Sequence, residues 1–306
     1  MKKLVVIDGN ALLYRAFYAY PPFESPKGEL VGAVYGFTTL LFSVIEKLSP
    51  THMVVAWDVK APTFRKEKYD QYKAQRAPMD ENLVVQIERT KEVVESLNIP
   101  QFEKSGFEAD DIIGTISVLA FKDEQNNEDV QVVIVTGDRD ALQLVRGKKV
   151  VVYLPIQNKY AKSAVFDEEK VKEVYGIEPK QIVDLKGLMG DASDNIPGVK
   201  GVGKVSATRL ITDFGSINEV YKRIDDNRIS NKVRTLLVAG EDMAMKSREL
   251  AEIHCKVPIS FTWKKCLLSD YDRSKAENLF ETLGFRSLLS KLPEGSYEKD
   301  VVDIFI

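Results

Sequence analysis

The sequence predicts an α/β fold: a central, mostly parallel sheet flanked by helices, with a helical domain after it. Three observations carry this reading. Four short apolar runs are near-continuous rather than alternating, as in strands covered on both faces. Segments with helical periodicity lie between them, and strands divided by helices form parallel sheets. Beyond about residue 165 the strand signals fade and helical patterns dominate.

The elements follow in order. KLVVID (3–8) is the first strand, and GNALLYRAF continues from it with Arg15 two helical turns after Asp8. GAVYGFTTLLFSVIEKL (32–48) is a helix, and MVVAWD (53–58) the second strand. Helical spacing returns in DENLVVQIERTKEVVESL (80–97) and EADDIIGTISVLAF (108–121). KDEQNNED (122–129) is an exposed loop, and VQVVIVTGD (130–138) and KKVVVYL (148–154) complete the strands. This gives an α/β domain over 1–165, a helical domain over 166–290 and a tail over 291–306.

Composition bounds the function. At 306 residues, 44% hydrophobic and 29% charged, the chain reads as soluble, with a large domain and a smaller one. It contains no apolar run near the ~20 residues of a membrane span. The start, MKKLVVIDGN, is too short in apolar residues for a secretion signal, so the expected location is the cytoplasm. Cys255 and Cys266 form neither a disulfide framework nor a zinc spacing, and with only His52 and His254 the chemistry falls to carboxylates.

Three strand runs end on or just before an acid: Asp8, Asp58 and Asp138. Parallel strands bring their carboxyl ends to one edge of a sheet, where ligands bind. Asp favours strand ends for local reasons as well, but three of them together point to a site. GFEADD adds Glu108, Asp110 and Asp111 at a helix start, where at roughly 100° per residue they can converge. TGDRD adds Asp140, and GDASDN adds Asp191 and Asp194. Nine converging carboxylates need counter-charge. Hard divalent cations, Mg²⁺ or Mn²⁺, supply it, and a pair of them about 4 Å apart is a standard device for cutting phosphodiesters.

The net charge of −3 argues mildly against nucleic acid, but setting those nine acids aside leaves 37 acidic residues against 43 basic ones. KAPTFRKEKYDQYKAQR (60–76) interleaves Arg65, Lys73 and Arg76 with Phe64, Tyr69 and Tyr72. Cations track phosphates and rings stack on bases. A solvated amphipathic helix would look similar; the place directly after Asp58 favours DNA.

GVKGVGKV (198–205) nearly spells a phosphate loop of nucleotide hydrolases, but Val205 stands where the metal-binding hydroxyl belongs. A hairpin between two helices fits better. There Gly198, Gly201 and Gly203 bare the backbone, Lys200 and Lys204 flank it, and the following helix start offers N–H groups to a phosphate. A plain glycine-rich cap is the alternative.

These pieces (VIDGNALLYRAF, VVAWD with TFR, YKAQR, FEADDIIGT, VTGDRDALQL and KGLMGDASDNIPGV) resemble the 5′ nuclease family, which includes flap endonucleases and the 5′–3′ exonuclease domain of bacterial DNA polymerase I. The resemblance runs from residue 3 to about 289 and is nearest to the polymerase domain. It implies a metal-dependent 5′–3′ exonuclease and flap endonuclease of replication and repair, with a helical arch near 60–100 and a helix-three-turn-helix gripping duplex DNA. It implies two Mg²⁺ or Mn²⁺ ions at the nine acids, and Arg15, Lys73 and Arg76 on the scissile phosphate with Tyr72 stacking nearby. It also implies K⁺ at the hairpin. DNA flaps, nicked or branched duplex and RNA primer ends are the expected partners of a monomer at the bacterial nucleoid. The pattern departs at Lys200, where the family has Pro, and at Lys204 and Val205, where it has an acid and a lysine. A standalone nuclease and a piece of a longer chain are both compatible with the sequence.

Overall fold

The computed structural model describes residues 2–122, 130–155, 163–268 and 271–293. Positions 123–129 of the expected loop and 294–306 of the expected tail lie outside the described residues. Six strands form one sheet: β1 (Lys2–Asp8), β2 (His52–Ala56), β3 (Gln101–Phe102), β4 (Val130–Val135), β5 (Val150–Leu154) and β6 (Ala164–Phe166). Their order is β3-β2-β1-β4-β5-β6; the first five are parallel and β6 runs antiparallel to β5. The four strands expected from the sequence are all present. β3 and β6, two and three residues long, are too short to carry a pattern.

The apolar runs are continuous because each strand is buried on both faces. In β1, Leu4 and Val6 enter one core and Val5 and Ile7 the other. The Val5–Ile7 face packs against α1 (Gly9–Ala19), α2 (Gly32–Leu48) and α4 (Glu81–Ser96). The Leu4–Val6 face packs against α5 (Ala109–Leu119), and the same core continues outward through α6 (Glu168–Tyr175), α7 (Ile182–Met189), α8 (Lys204–Phe214), α9 (Ile217–Lys222) and α10 (Asn231–Ala239). α11 (Glu241–Ala251) lies against α7.

Two expectations differ. Of the arch expected over 60–100, only the five-residue α3 (Phe64–Lys68) and a run of turns leave the sheet. α4 lies on the sheet with Leu83, Val93 and Val94 buried, because its apolar stripe needs a partner. Residues 271–293 also leave the helical layer. α12 (Arg273–Leu283) returns to the opposite face, where Phe280 stacks on Phe42 with ring centroids 5.9 Å apart, and α13 (Arg286–Leu289) follows.

Strand order reverses between β1 and its neighbours β2 and β4, which opens a crevice at their carboxyl ends. Asp8 pairs in register with Ala56, and Ile7 with Val135, so these three ends are level. Asp58 and Asp138 follow within three residues of their strands.

Candidate active site

A cavity of about 1000 Å³ occupies that crevice. Asp8, Asp58, Glu108, Asp110, Asp138, Asp140 and Asp191 line it, together with Arg15, Lys73, Arg76 and Lys186.

Local chemistry fixes each acid. Asp8 ends β1 and caps α1, accepting from Ala11 N at 2.9 Å and from Thr136 Oγ1 at 2.7 Å. Asp58 accepts from Ala109 N at 2.8 Å, while its own N–H donates to Asn10 Oδ1 at 2.8 Å, tying β2 to the starts of α1 and α5. Asp138 accepts from Asp140 N at 2.9 Å in a tight turn that brings both carboxylates inward. Asp191 accepts from Ser193 N at 2.8 Å and from Ser193 Oγ at 2.6 Å.

The acids strain against one another. Burial, with the charges of Asp58 and Asp138, pushes Asp8 up to about 7. Burial and Asp138 push Asp140 up to about 6, although Lys186 opposes this. Asp110 is raised well above its ordinary value by burial and by Asp138 and Asp8. Its Oδ1 is buried and has no hydrogen-bond partner among the described residues. Among the described residues, no three acidic, histidine or cysteine side chains are gathered closely enough to be a ready-made ion site.

Side-chain cations stand among the acids instead. Lys73 Nζ lies 2.9 Å from Glu108, and Arg76 Nη2 lies 2.5 Å from Asp194. Burial would lower the Lys73 ammonium, but Glu108 and Asp194 more than offset this and hold it raised. Lys73 also sits at φ 52°, a left-handed conformation that costs a non-glycine residue of order 1 kcal/mol and is found at functional sites. Arg15, on the cavity lining, donates to Pro155 O at 3.3 Å.

Five expectations are corrected. Asp111, on α5 beside Asp110, is fully buried and turns away from the cavity. Its oxygens take Arg65 at 2.7 and 2.8 Å, His254 N at 2.8 Å and Glu108 N at 3.0 Å, so none is left for a metal ion. Arg65 is correspondingly buried and also donates to Leu250 O and Glu252 O; it faces the core, not DNA. Tyr72 is buried, with its hydroxyl on Glu108 at 3.1 Å and Asp194 at 3.2 Å, which leaves no open ring face for a base. Asp194 is withdrawn from the cavity lining by Tyr72 and Arg76. Gly198 is buried; its N–H donates to Ser247 Oγ at 3.0 Å, and an added Cβ would lie 2.2 Å from Gly190 N. It serves close backbone packing and not a phosphate.

The other hairpin residues remain outward. Gly201 is exposed at φ +90°, and Gly203 is exposed, caps α8 without a side-chain bond and has open space around its missing Cβ. Lys200 and Lys204 are exposed, Lys204 lying 5.8 Å from the Tyr175 ring centroid.

Sequence reasoning missed Asn10, Thr136 and Lys186. Thr136 joins Asp8 to the Asp138 backbone, and its place two residues before Asp138 is the usual side-chain-to-backbone turn spacing. Lys186 precedes Asp191 by five residues, but nothing local links it to Asp140, 46 residues away.

Residues 3–176 match the family described as 5′–3′ exonuclease, N-terminal resolvase-like domain, and residues 177–274 match 5′–3′ exonuclease, C-terminal SAM fold. The chain belongs to the 5′–3′ exonuclease family. It is a nuclease of that family, and the acid cavity is its candidate active site. Among its relatives, DNA polymerase I of Bacillus caldotenax is 40% identical over 98% of this chain and 33% of its own length. DNA polymerase I of Caldicellulosiruptor bescii is 39% identical over 95% of this chain and 33% of its own. The chain thus spans about a third of the length of these relatives. The fold is shared with the T5 D15 protein co-crystallised with metal ions (TM-score 0.66, 20% identity, 99% of each chain). It is shared also with the catalytic core of Rad2 in complex with DNA substrate (TM-score 0.60, 17% identity, 92% of this chain and 87% of that one).

Proposed function

We propose that this chain hydrolyses DNA phosphodiesters at 5′ ends, flaps and nicks, using divalent cations, Mg²⁺ or Mn²⁺, held by the acids of the cavity. One observation carries the reading. Asp110 is a buried carboxylate with an oxygen unpartnered among the described residues, raised well above its ordinary value by burial and by the charges of Asp138 and Asp8. Such a cluster needs added positive charge, and an all-oxygen donor set suits hard cations. Asp8, Asp110, Asp138 and Asp140 would hold the ions most directly, with Asp58, Glu108 and Asp191 at the margins. Bound there, such ions neutralise phosphate charge and lower the pKa of water.

The chain's own residues do the positioning. Lys73 and Arg76 carry the positive charge next to Glu108 and Asp194 and would donate to the phosphate oxygens, where charge grows most in the transition state. Arg15 has donors left beyond the one on Pro155 and would hold the phosphate from the α1 side. Gly201, Gly203, Lys200 and Lys204 would take a duplex phosphate away from the cut, with K⁺ at the hairpin. The neighbours in fold that were solved with metal ions and with DNA support this reading. RNA primer ends as substrates, and action as a monomer, belong to the same proposal.

The test is a 5′-labelled flap duplex with the purified chain. Shortened product should appear with Mg²⁺ or Mn²⁺, vanish with chelator, and vanish in Asp138→Ala while flap binding in Ca²⁺ persists. Cleavage that survives the chelator and the variant would overturn the metal assignment.

A further inference from the structure

Lys186 is the least expected charge in the cavity. It lies on α7, 9% exposed, and its Nζ contacts Asp140 and Asp191 at once, the latter at 2.5 Å. The side chains of both acids are also largely buried, 16% and 14% exposed. This ammonium therefore bridges an acid from the β4 turn and an acid from the hairpin after α7. Lys73 and Arg76 pair with other acids, Glu108 and Asp194, and are themselves more exposed than Lys186, with Arg76 half exposed. Among the described residues, Lys186 is the cation at the point shared by two cavity aspartates.

We infer that Lys186 is a built-in counter-ion that holds the Asp140–Asp191 side of the cavity together without metal and competes with a divalent cation there. The inference rests on the metal reading above. Its physics is simple. Two carboxylates that converge repel, and a buried lysine relieves the repulsion. A divalent cation using the same oxygens meets that charge at short range, so Lys186 must swing aside or the ion binds weakly. The lysine thus trades metal affinity for an ordered cavity in the empty protein, and it tunes the cation concentration at which the site fills.

The test uses the full 306-residue chain, without DNA, and Mn²⁺ as probe. Mn²⁺ binding is followed by paramagnetic resonance and calorimetry in wild type, Lys186→Met and Lys186→Arg. Removing one positive charge at this range should tighten the affected Mn²⁺ site by about tenfold, while the arginine variant stays near wild type. In chelator Lys186→Met should melt lower than wild type, and Mn²⁺ should raise its melting temperature by more. A second readout needs no variant. Reductive methylation mapped by peptide mass spectrometry should find Lys186 protected in chelator and reactive in Mn²⁺, against unchanged Lys264. Unchanged or weaker binding in Lys186→Met, or a Lys186 equally protected with and without Mn²⁺, would overturn the inference. Absence of Mn²⁺ binding in every protein would instead overturn the metal reading, and this inference with it.

Discussion

Arg65 and Asp111 form a two-pronged ion pair, with N–O distances of 2.8 and 2.7 Å, sealed between α3, α5 and the chain at 250–254. Arg65 is 2% exposed and Asp111 0%. Both residues have the type and position of site residues, yet they hold the site's frame. Asp111 fixes the N-terminus of α5, where Glu108 and Asp110 stand, and Arg65 fixes the segment that carries Lys73.

Removing one partner of this pair should therefore unfold the frame rather than blunt DNA binding. Arg65→Ala or Asp111→Ala leaves a buried charge alone, which costs roughly 3–5 kcal/mol. A double variant with both charges replaced by apolar residues should recover much of this. Urea denaturation checks it. A stable Arg65→Ala with weakened flap binding would mean that Arg65 faces DNA after all.

Lys73 should act on rate and not on affinity. Lys73→Ala should lower single-turnover cleavage of a flap by roughly 10²–10³-fold, the usual cost of losing one transition-state donor. Lys73→Gly should be just as slow, even though glycine relieves the φ of 52°. Rapid-quench measurement separates the two effects. A glycine variant restored to wild-type rate would mean that the backbone, not the ammonium, matters.

Gly203 offers a clean probe of the hairpin, because a Cβ added there meets nothing within 4 Å among the described residues. Gly203→Val should weaken flap and plain duplex binding alike, whatever the base sequence, since phosphates carry no base information. The slope of log affinity against log salt should become shallower by about one unit for each phosphate charge no longer neutralised. Cleavage of DNA saturating the variant should persist. Gly201→Val should lose stability as well, because of its positive φ and the nearby Leu236. Equal duplex affinities for wild type and a well-folded Gly203→Val would reduce the glycine to a helix cap.

Stability without metal should depend on pH in a definite sense. Asp8 and Asp140 are raised from 3.8 to about 7 and about 6 by burial first and neighbouring acids second. The folded chain then binds more protons than the unfolded one between those values and 3.8, so stability falls as pH rises from about 4 to about 7. In chelator the melting temperature should drop across this window, and Mg²⁺ should remove most of the drop. Scanning calorimetry in matched buffers decides it; a melting temperature that rises with pH in chelator would contradict the buried acid cluster.

The sequence by itself determined the sheet and the edge at which its acids collect. β1, β2, β4 and β5 are legible because strands buried on both faces need unbroken apolar runs, and because parallel pairing sends Asp8, Asp58 and Asp138 to one end. These are short-range properties of the chain. Only the tertiary structure decided which acids face the cavity. Asp110 and Asp111 are neighbours set about 100° apart on one helix. The choice between them comes from Arg65, 46 residues from Asp111, and from the backbone of His254, 143 residues away. The same holds for Tyr72, packed with Ile196 and Leu250 and donating its hydroxyl to Asp194, and for Lys186, drawn between Asp140 and Asp191. A charged or aromatic side chain faces whatever partner the fold brings within reach, and these partners come from segments distant in the chain.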